Sequence, residues 1–245
     1  SRGLGDVYKR QFLGITGPGE TRQSLTVNEA ATGRQYRFML PGPVWTEADQ
    51  DRVFMLLRAA GKPGGFAVIS GSQPPGVPMD FPARLAASMA GMRVVLDTSG
   101  AALTQAVTHP IPGLDLLRMD GEEAESLAGH KLDTRTDTAD FAQSLVARGV
   151  ARKVVVARGA DGSVLADATR RIFAKAPKVA VNSKVGAGDS FVGGYILALA
   201  RGQSEAEALA QGVAAAAAAV MSAATDLCRA EDVARLLPEA VVSTV

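Results

Sequence analysis

The segment with the clearest chemical content is Gly186-Ala-Gly-Asp189. Gly186 and Gly188 allow a tight turn and a close backbone approach to a ligand. The apolar run that follows reads as a helix starting near Ala187, so its free N–H groups point back at the turn. Unpaired donors and the helix dipole act together at such an end, which favours an anion. Asp189 falls in the first helical turn. An ionised carboxylate beside a phosphate cradle can take the proton of an attacking hydroxyl. Phosphoryl transfer needs both parts, a base for the acceptor and donors for the group in transit. A plainer reading stays open at this point: Gly-Ala-Gly can be a tight strand–helix connection, and Asp189 only a dipole partner. The segment is not a Walker loop, which needs Gly-Lys-Ser/Thr. It also lacks the spacing of the dinucleotide fingerprint and lies too late for a first βαβ unit.

Alternating strands and helices must position this turn. Short apolar runs predict strands over 66–69, 93–97, 114–117 and 153–157. Amphipathic stretches between them predict helices over 46–60, 81–90, 101–107, 122–128 and 139–148. This alternation argues for an α/β fold with a mainly parallel sheet covered by helices. Residues 160–163 read as a hairpin turn into antiparallel strands over 164–166 and 170–173. Two long helices are expected to close the chain, one from about Ala187 and one from Ser204, where Glu207 completes a capping box. Before all of these, 25–27 and 35–40 read as a hairpin with polar residues at alternate positions, a sheet wet on one face.

Composition narrows the partners. The 245 residues carry a net charge of +1, so no basic field gathers nucleic acid or anionic membrane. The longest apolar stretch, from Gly212 to Val220, is too short to span a bilayer. Cys228 is the single cysteine, which fits a reducing cytoplasm. His109 and His130 are the only histidines, and neither lies near Cys228 in sequence, so a zinc site or a Cys/His nucleophile has poor support.

Lys184-Val-Gly-Ala-Gly-Asp-Ser-Phe191 resembles the C-terminal signature of the PfkB, or ribokinase-like, sugar kinases. Thr21-Arg-Gln-Ser-Leu25, the segment from Gly33 to Gly42, the segment from Val68 to Gly76, and Lys153-Val-Val-Val-Ala-Arg-Gly159 are similar, in the same order, to one branch of that family. That branch is the bacterial minor-type 6-phosphofructokinases, with 1-phosphofructokinase and tagatose-6-phosphate kinase close by. The resemblance covers about residues 12–236. It implies a ribokinase-like fold with a partial β-hairpin lid, transfer of phosphate from ATP with Mg2+ to a sugar phosphate, and a homodimer formed through the lid. Fructose 6-phosphate is the expected acceptor. Asp189 would be the base, and Gly186, Ala187 and Gly188 the anion hole. Arg22 and Ser72 would meet the phosphate already on the sugar. Ala157, Gly159 and Gly212 would border the nucleotide. Taken alone, Arg22 reads as a solvated hairpin residue, Ser72 as part of a turn and Gly212 as close helix packing.

Departures from the family pattern define further expectations. Asp120 stands where the family's Asn-x-x-Glu motif has Asn, while Glu123 is kept, so the two are the expected magnesium and phosphate organisers. Lys184 replaces a usual Thr and would either contact ATP phosphate or be solvated. The family's first βαβ units have no counterpart here. Residues 1–11 read as a non-native leader, 12–42 as a partial lid with its hinge, and 43–245 as the α/β core carrying the ATP site. These departures leave a nucleotide-binding relic without turnover as the alternative.

Overall fold

The computed structural model describes residues 13–245 apart from 30, 33, 224 and 225. The expected leader over 1–11 and Gly33 of the hairpin segment therefore lie outside the described residues.

The chain opens with a separate antiparallel hairpin, β1 (Ser24–Asn28) and β2 (Gln35–Met39). Its register pairs Leu25 with Phe38 and Val27 with Tyr36. Alternation puts these four on one face. The sequence expectation was a single wet face, yet the apolar face is open too: Leu25 is 62% and Phe38 56% exposed. The polar alternation was legible, but nothing in it says whether the other face finds a cover.

After α1 (Glu47–Ala60), β3 (Phe66–Ser70) and α2 (Phe81–Ser88), the chain runs β4 (Arg93–Asp97), α3 (Gly100–Thr108), β5 (Leu116–Met119), α4 (Gly121–Ala128), α5 (Arg135–Ala147) and β6 (Lys153–Ala157). Strands β3 to β6 lie side by side in chain order and parallel. The sheet continues antiparallel through β7 (Gly162–Asp167), β8 (Arg171–Lys175) and β9 (Val242–Thr244). Helices α6 (Ala187–Ala200), α7 (Glu205–Met221) and α8 (Ala230–Leu236) complete the order.

The central strands read as unbroken apolar runs because both faces are covered. Leu96, Leu117 and Val156 point to a core shared with α3, α4 and α5. Their neighbours Val95, Leu116 and Val155 point the other way, toward Phe191 and Tyr195 of α6, Leu209 of α7 and Leu236 of α8. Helices α6 and α7 approach closely because glycines lie in the contact. A Cβ on Gly194 would meet the Ala215 Cβ at 2.8 Å, and one on Gly212 would meet the Phe191 ring at 2.9 Å.

Two expectations need correction. Helix α5 starts at Arg135, a full turn before 139, because Thr134 and Asp137 form a capping box that satisfies its first amides. Two long helices do not end the chain: α8 and β9 follow them. Both are short: α8 buries only Val233 and Leu236, and no residue of β9 is fully buried, so local periodicity hides them. No helix among the described residues is long and apolar enough to cross a membrane.

Candidate active site

Strand polarity decides where the site forms. The carboxyl ends of β3, β4 and β5 meet the start of α6 around a cleft of about 210 Å³, lined by Ser70, Asp97, Arg118, Glu123, Gly188 and Asp189 among others. In open α/β sheets this is the edge at which loops and helix starts leave room for ligands. A larger hollow of about 510 Å³ lies beside the start of β8. Its two arginines are already occupied, Arg170 by Asp167 and Arg171 by Asp140, so it offers an anion no free charge.

The glycine turn has the form its sequence suggests. Gly186 caps α6 in the left-handed region, at φ +79°, where a side chain would be strained. At any helix start the first amides lack intrahelical acceptors; here they belong to Ala187, Gly188 and Asp189, of which the Ala187 amide makes a long 3.5 Å bond to the Lys184 carbonyl. Gly188 has a second reason to be glycine. A Cβ there would meet the Arg118 guanidinium at 3.0 to 3.4 Å. Arg118 is thus packed directly under the turn. It pairs with Asp97 at 3.2 Å, and its Nε is buried without a partner. Asp189 accepts a hydrogen bond on Oδ1 from the Ser70 hydroxyl at 3.1 Å.

Carboxylates outnumber cations here. Burial pushes the Asp97 carboxyl above its ordinary value; Arg118 opposes this, while the charges of Asp189 and Asp120 add to it. Glu123 is likewise raised, first by burial; the Asp120 amide and Arg118 oppose this, while the charges of Asp120 and Asp97 add to it. Asp120 and Glu123 form a reciprocal capping box on α4: the Glu123 amide donates to Asp120 Oδ1, and the Asp120 amide to Glu123 Oε2. One oxygen of each carboxylate stays out of the box. These are hard oxygen donors beside an excess of negative charge, which fits a magnesium ion held largely through water and substrate phosphate. Among the described residues no group of three or more His, Cys, Asp or Glu side chains forms a cage that could hold a metal by itself.

The other expected residues fall into two sets. Arg22 lies close to the loop that carries Ser72: Gly42 sits between the Arg22 stem and Pro75, a Cβ there lying 3.3 Å from one and 3.9 Å from the other. Both side chains are exposed, beside the loop that leaves β3. Ala157 ends β6, and its carbonyl lies 3.2 Å from a Cβ built on Gly121, which brings this strand end against the start of α4. Gly159 follows at φ +58° and opens a short 3-10 turn. Lys184 is exposed just before the glycine turn. Gly212 does not line the cleft; it is buried against Phe191 in the α6–α7 contact. Ser70, Asp97 and Arg118 were not singled out from the sequence. The signal available was their shared position at the ends of three successive parallel strands.

Residues 18–232 match the pfkB family carbohydrate kinase pattern. The chain belongs to that family. The family's central sheet, mostly parallel and flanked by helices, is the one described above. The chain is 39% identical over 228 residues to ATP-dependent 6-phosphofructokinase isozyme 2 of Mycobacterium tuberculosis, covering 91% of this chain and 66% of that protein. It is 35% identical to 1-phosphofructokinase of Xanthomonas campestris over 91% of this chain and 69% of that one. The crystal structure of phosphofructokinase-2 from Escherichia coli in complex with potassium superposes with a TM-score of 0.81 at 34% identity, over 89% of this chain and 71% of the other. The chain thus spans about two thirds of the length of these family relatives.

Proposed function

We propose that this family member transfers the γ-phosphoryl group of ATP to a hydroxyl of a phosphorylated ketohexose, with fructose 6-phosphate giving fructose 1,6-bisphosphate. The observation that carries the reading is Asp189 in the first turn of α6, facing the cleft beside the amides of a glycine turn at a helix start. Asp189 accepts the proton of the sugar hydroxyl as its oxygen bonds to the γ-phosphorus. The bond from that phosphorus to the β-phosphate bridging oxygen breaks, and ADP leaves with the electron pair. The amides of Ala187, Gly188 and Asp189 donate to the oxygens of the group in transit, where fixed dipoles act without reorganisation.

Arg22 and Ser72 hold the phosphate the sugar already carries, and Ala157, Gly159 and Lys184 border the nucleotide. Magnesium, held by Glu123 and Asp120, supplies neutralisation of phosphate charge. The similarity to a 1-phosphofructokinase supports a second acceptor, fructose 1-phosphate, at the same site, and tagatose 6-phosphate fits the same chemistry. The open apolar face of Leu25, Val27, Tyr36 and Phe38 supports self-association into a homodimer through the hairpin. The lone thiol of Cys228 suits a cytoplasmic enzyme acting on soluble sugar phosphates.

The test is a coupled ADP-release assay with ATP, magnesium and a panel of sugar phosphates. Turnover is expected with fructose 6-phosphate above fructose 1-phosphate and tagatose 6-phosphate. Nucleotide binding without turnover on any of the three would instead establish the relic.

A further inference from the structure

Ser70 and Asp189 are 119 residues apart in sequence, yet their side chains meet across the cleft. Ser70 is the last residue of β3, and its backbone position is fixed from two directions. The Gly71 amide donates to the Asp97 carbonyl at 2.9 Å, and the Thr98 hydroxyl donates to the Gly71 carbonyl at 3.0 Å. Gly71 itself turns at φ +89°, which sends the chain sharply away from the strand into the loop bearing Ser72. The Ser70 hydroxyl is thus held on a rigid strand end rather than on a mobile loop. It donates to Oδ1 of Asp189, and no other side-chain or backbone donor reaches that carboxylate among the described residues.

We infer that Ser70 is a positioning residue, holding the Asp189 carboxylate so that Oδ2 is the oxygen presented to the acceptor hydroxyl. The inference rests on the reading of Asp189 as the base. A carboxylate in a first helical turn rotates freely when exposed, and only a fraction of its rotamers face the cleft. One donor from the opposite wall selects among them. Misplacing a reacting group by about 1 Å costs roughly 100-fold. Asp97, Arg118 and Glu123, the other charged groups lining the cleft, make no hydrogen bond to Asp189.

The experiment compares Ser70→Ala, Ser70→Thr, Asp189→Asn and the Ser70→Ala/Asp189→Asn double variant in steady-state phosphorylation of fructose 6-phosphate by ATP, with thermal melting of each. Ser70→Ala is expected to lower kcat roughly 10- to 100-fold with both KM values within about twofold and Tm unchanged. Ser70→Thr, which keeps the hydroxyl, should restore most of the loss. In the Asp189→Asn background the alanine substitution should cost nothing further, because no base remains to be oriented. Equal losses in both backgrounds, absent rescue by threonine, or an unchanged kcat in Ser70→Ala would overturn the role of Ser70. Full turnover by Asp189→Asn alone, or no turnover by the unsubstituted protein, would overturn the base assignment instead.

Discussion

Charged clusters sit at both ends of the parallel strands, and they differ in balance and in access. At the amino ends, Arg93 directs two N–H groups at Asp115, and Lys153 lies 2.5 Å from Glu205 and 3.6 Å from Asp115. The Tyr195 hydroxyl closes the network by donating to Glu205, and burial pushes its pKa far up, with the Glu205 charge adding to the effect. Two cations face two carboxylates there, and the groups tie α6 and α7 to the strands beneath. At the carboxyl ends, Arg118 is the one cation among the described residues lining the cleft, against Asp97, Glu123 and Asp189 with the charge of Asp120 beside them, and the space between them is open. A closed, neutral network is an element of structure. An open, unbalanced one costs stability in the free protein and gains its counter-charge only with ligand.

The comparison can be broken at either end. Asp189→Asn should lower kcat about 1,000-fold while Tm does not fall, read by steady-state kinetics and thermal melting. Lys153→Met should do the reverse. Asp115 keeps Arg93, but the largely buried Glu205 carboxylate loses its cation, so stability should fall by about 3 kcal/mol in urea denaturation, with turnover per folded molecule preserved. If the two variants lose activity and stability together, the division between the ends fails.

A smaller effect sharpens the place of Gly212. Gly212→Ala puts a methyl against the Phe191 ring and carbonyl at 2.9 to 3.0 Å. Overpacking of this kind costs about 1–3 kcal/mol. A stability loss with unchanged KM for ATP would assign this glycine to helix packing, whereas a raised KM alone would return it to the nucleotide site.

The smallest effect concerns Glu123. Its folded pKa lies above the ordinary 4.5. The folded state therefore binds the proton more tightly than the unfolded one, and this contributes stability at low pH that is lost as pH rises through the folded value. Glu123→Gln lacks that loss. Denaturation curves at a series of pH values should show the variant gaining on the parent as pH rises above 4.5. A gap between them that is flat in pH would mean that burial does not penalise this carboxylate.

Much of this was legible in one dimension. Helix and strand alternation specified the α/β sheet, because strands covered on both faces cannot hide their apolar runs. The capping box at Ser204 and Glu207 was legible too, since it is a contact between residues three apart. The glycine turn with Asp189 was readable for the same reason, as anion donors at a helix start depend only on local backbone. What required tertiary structure was every relation between strand ends. Ser70, Asp97 and Arg118 are ordinary in their own segments, and they become a site only because parallel strands bring successive carboxyl ends to one edge. The second reason for Gly188 is of the same kind, since the guanidinium that would crowd a side chain there comes from a strand 70 positions earlier in the chain. The sequence by itself thus determined which segments could bind an anion and supply a base. Only the fold decided which groups surround that base, because side-chain proximity across a sheet edge is set by strand order and register.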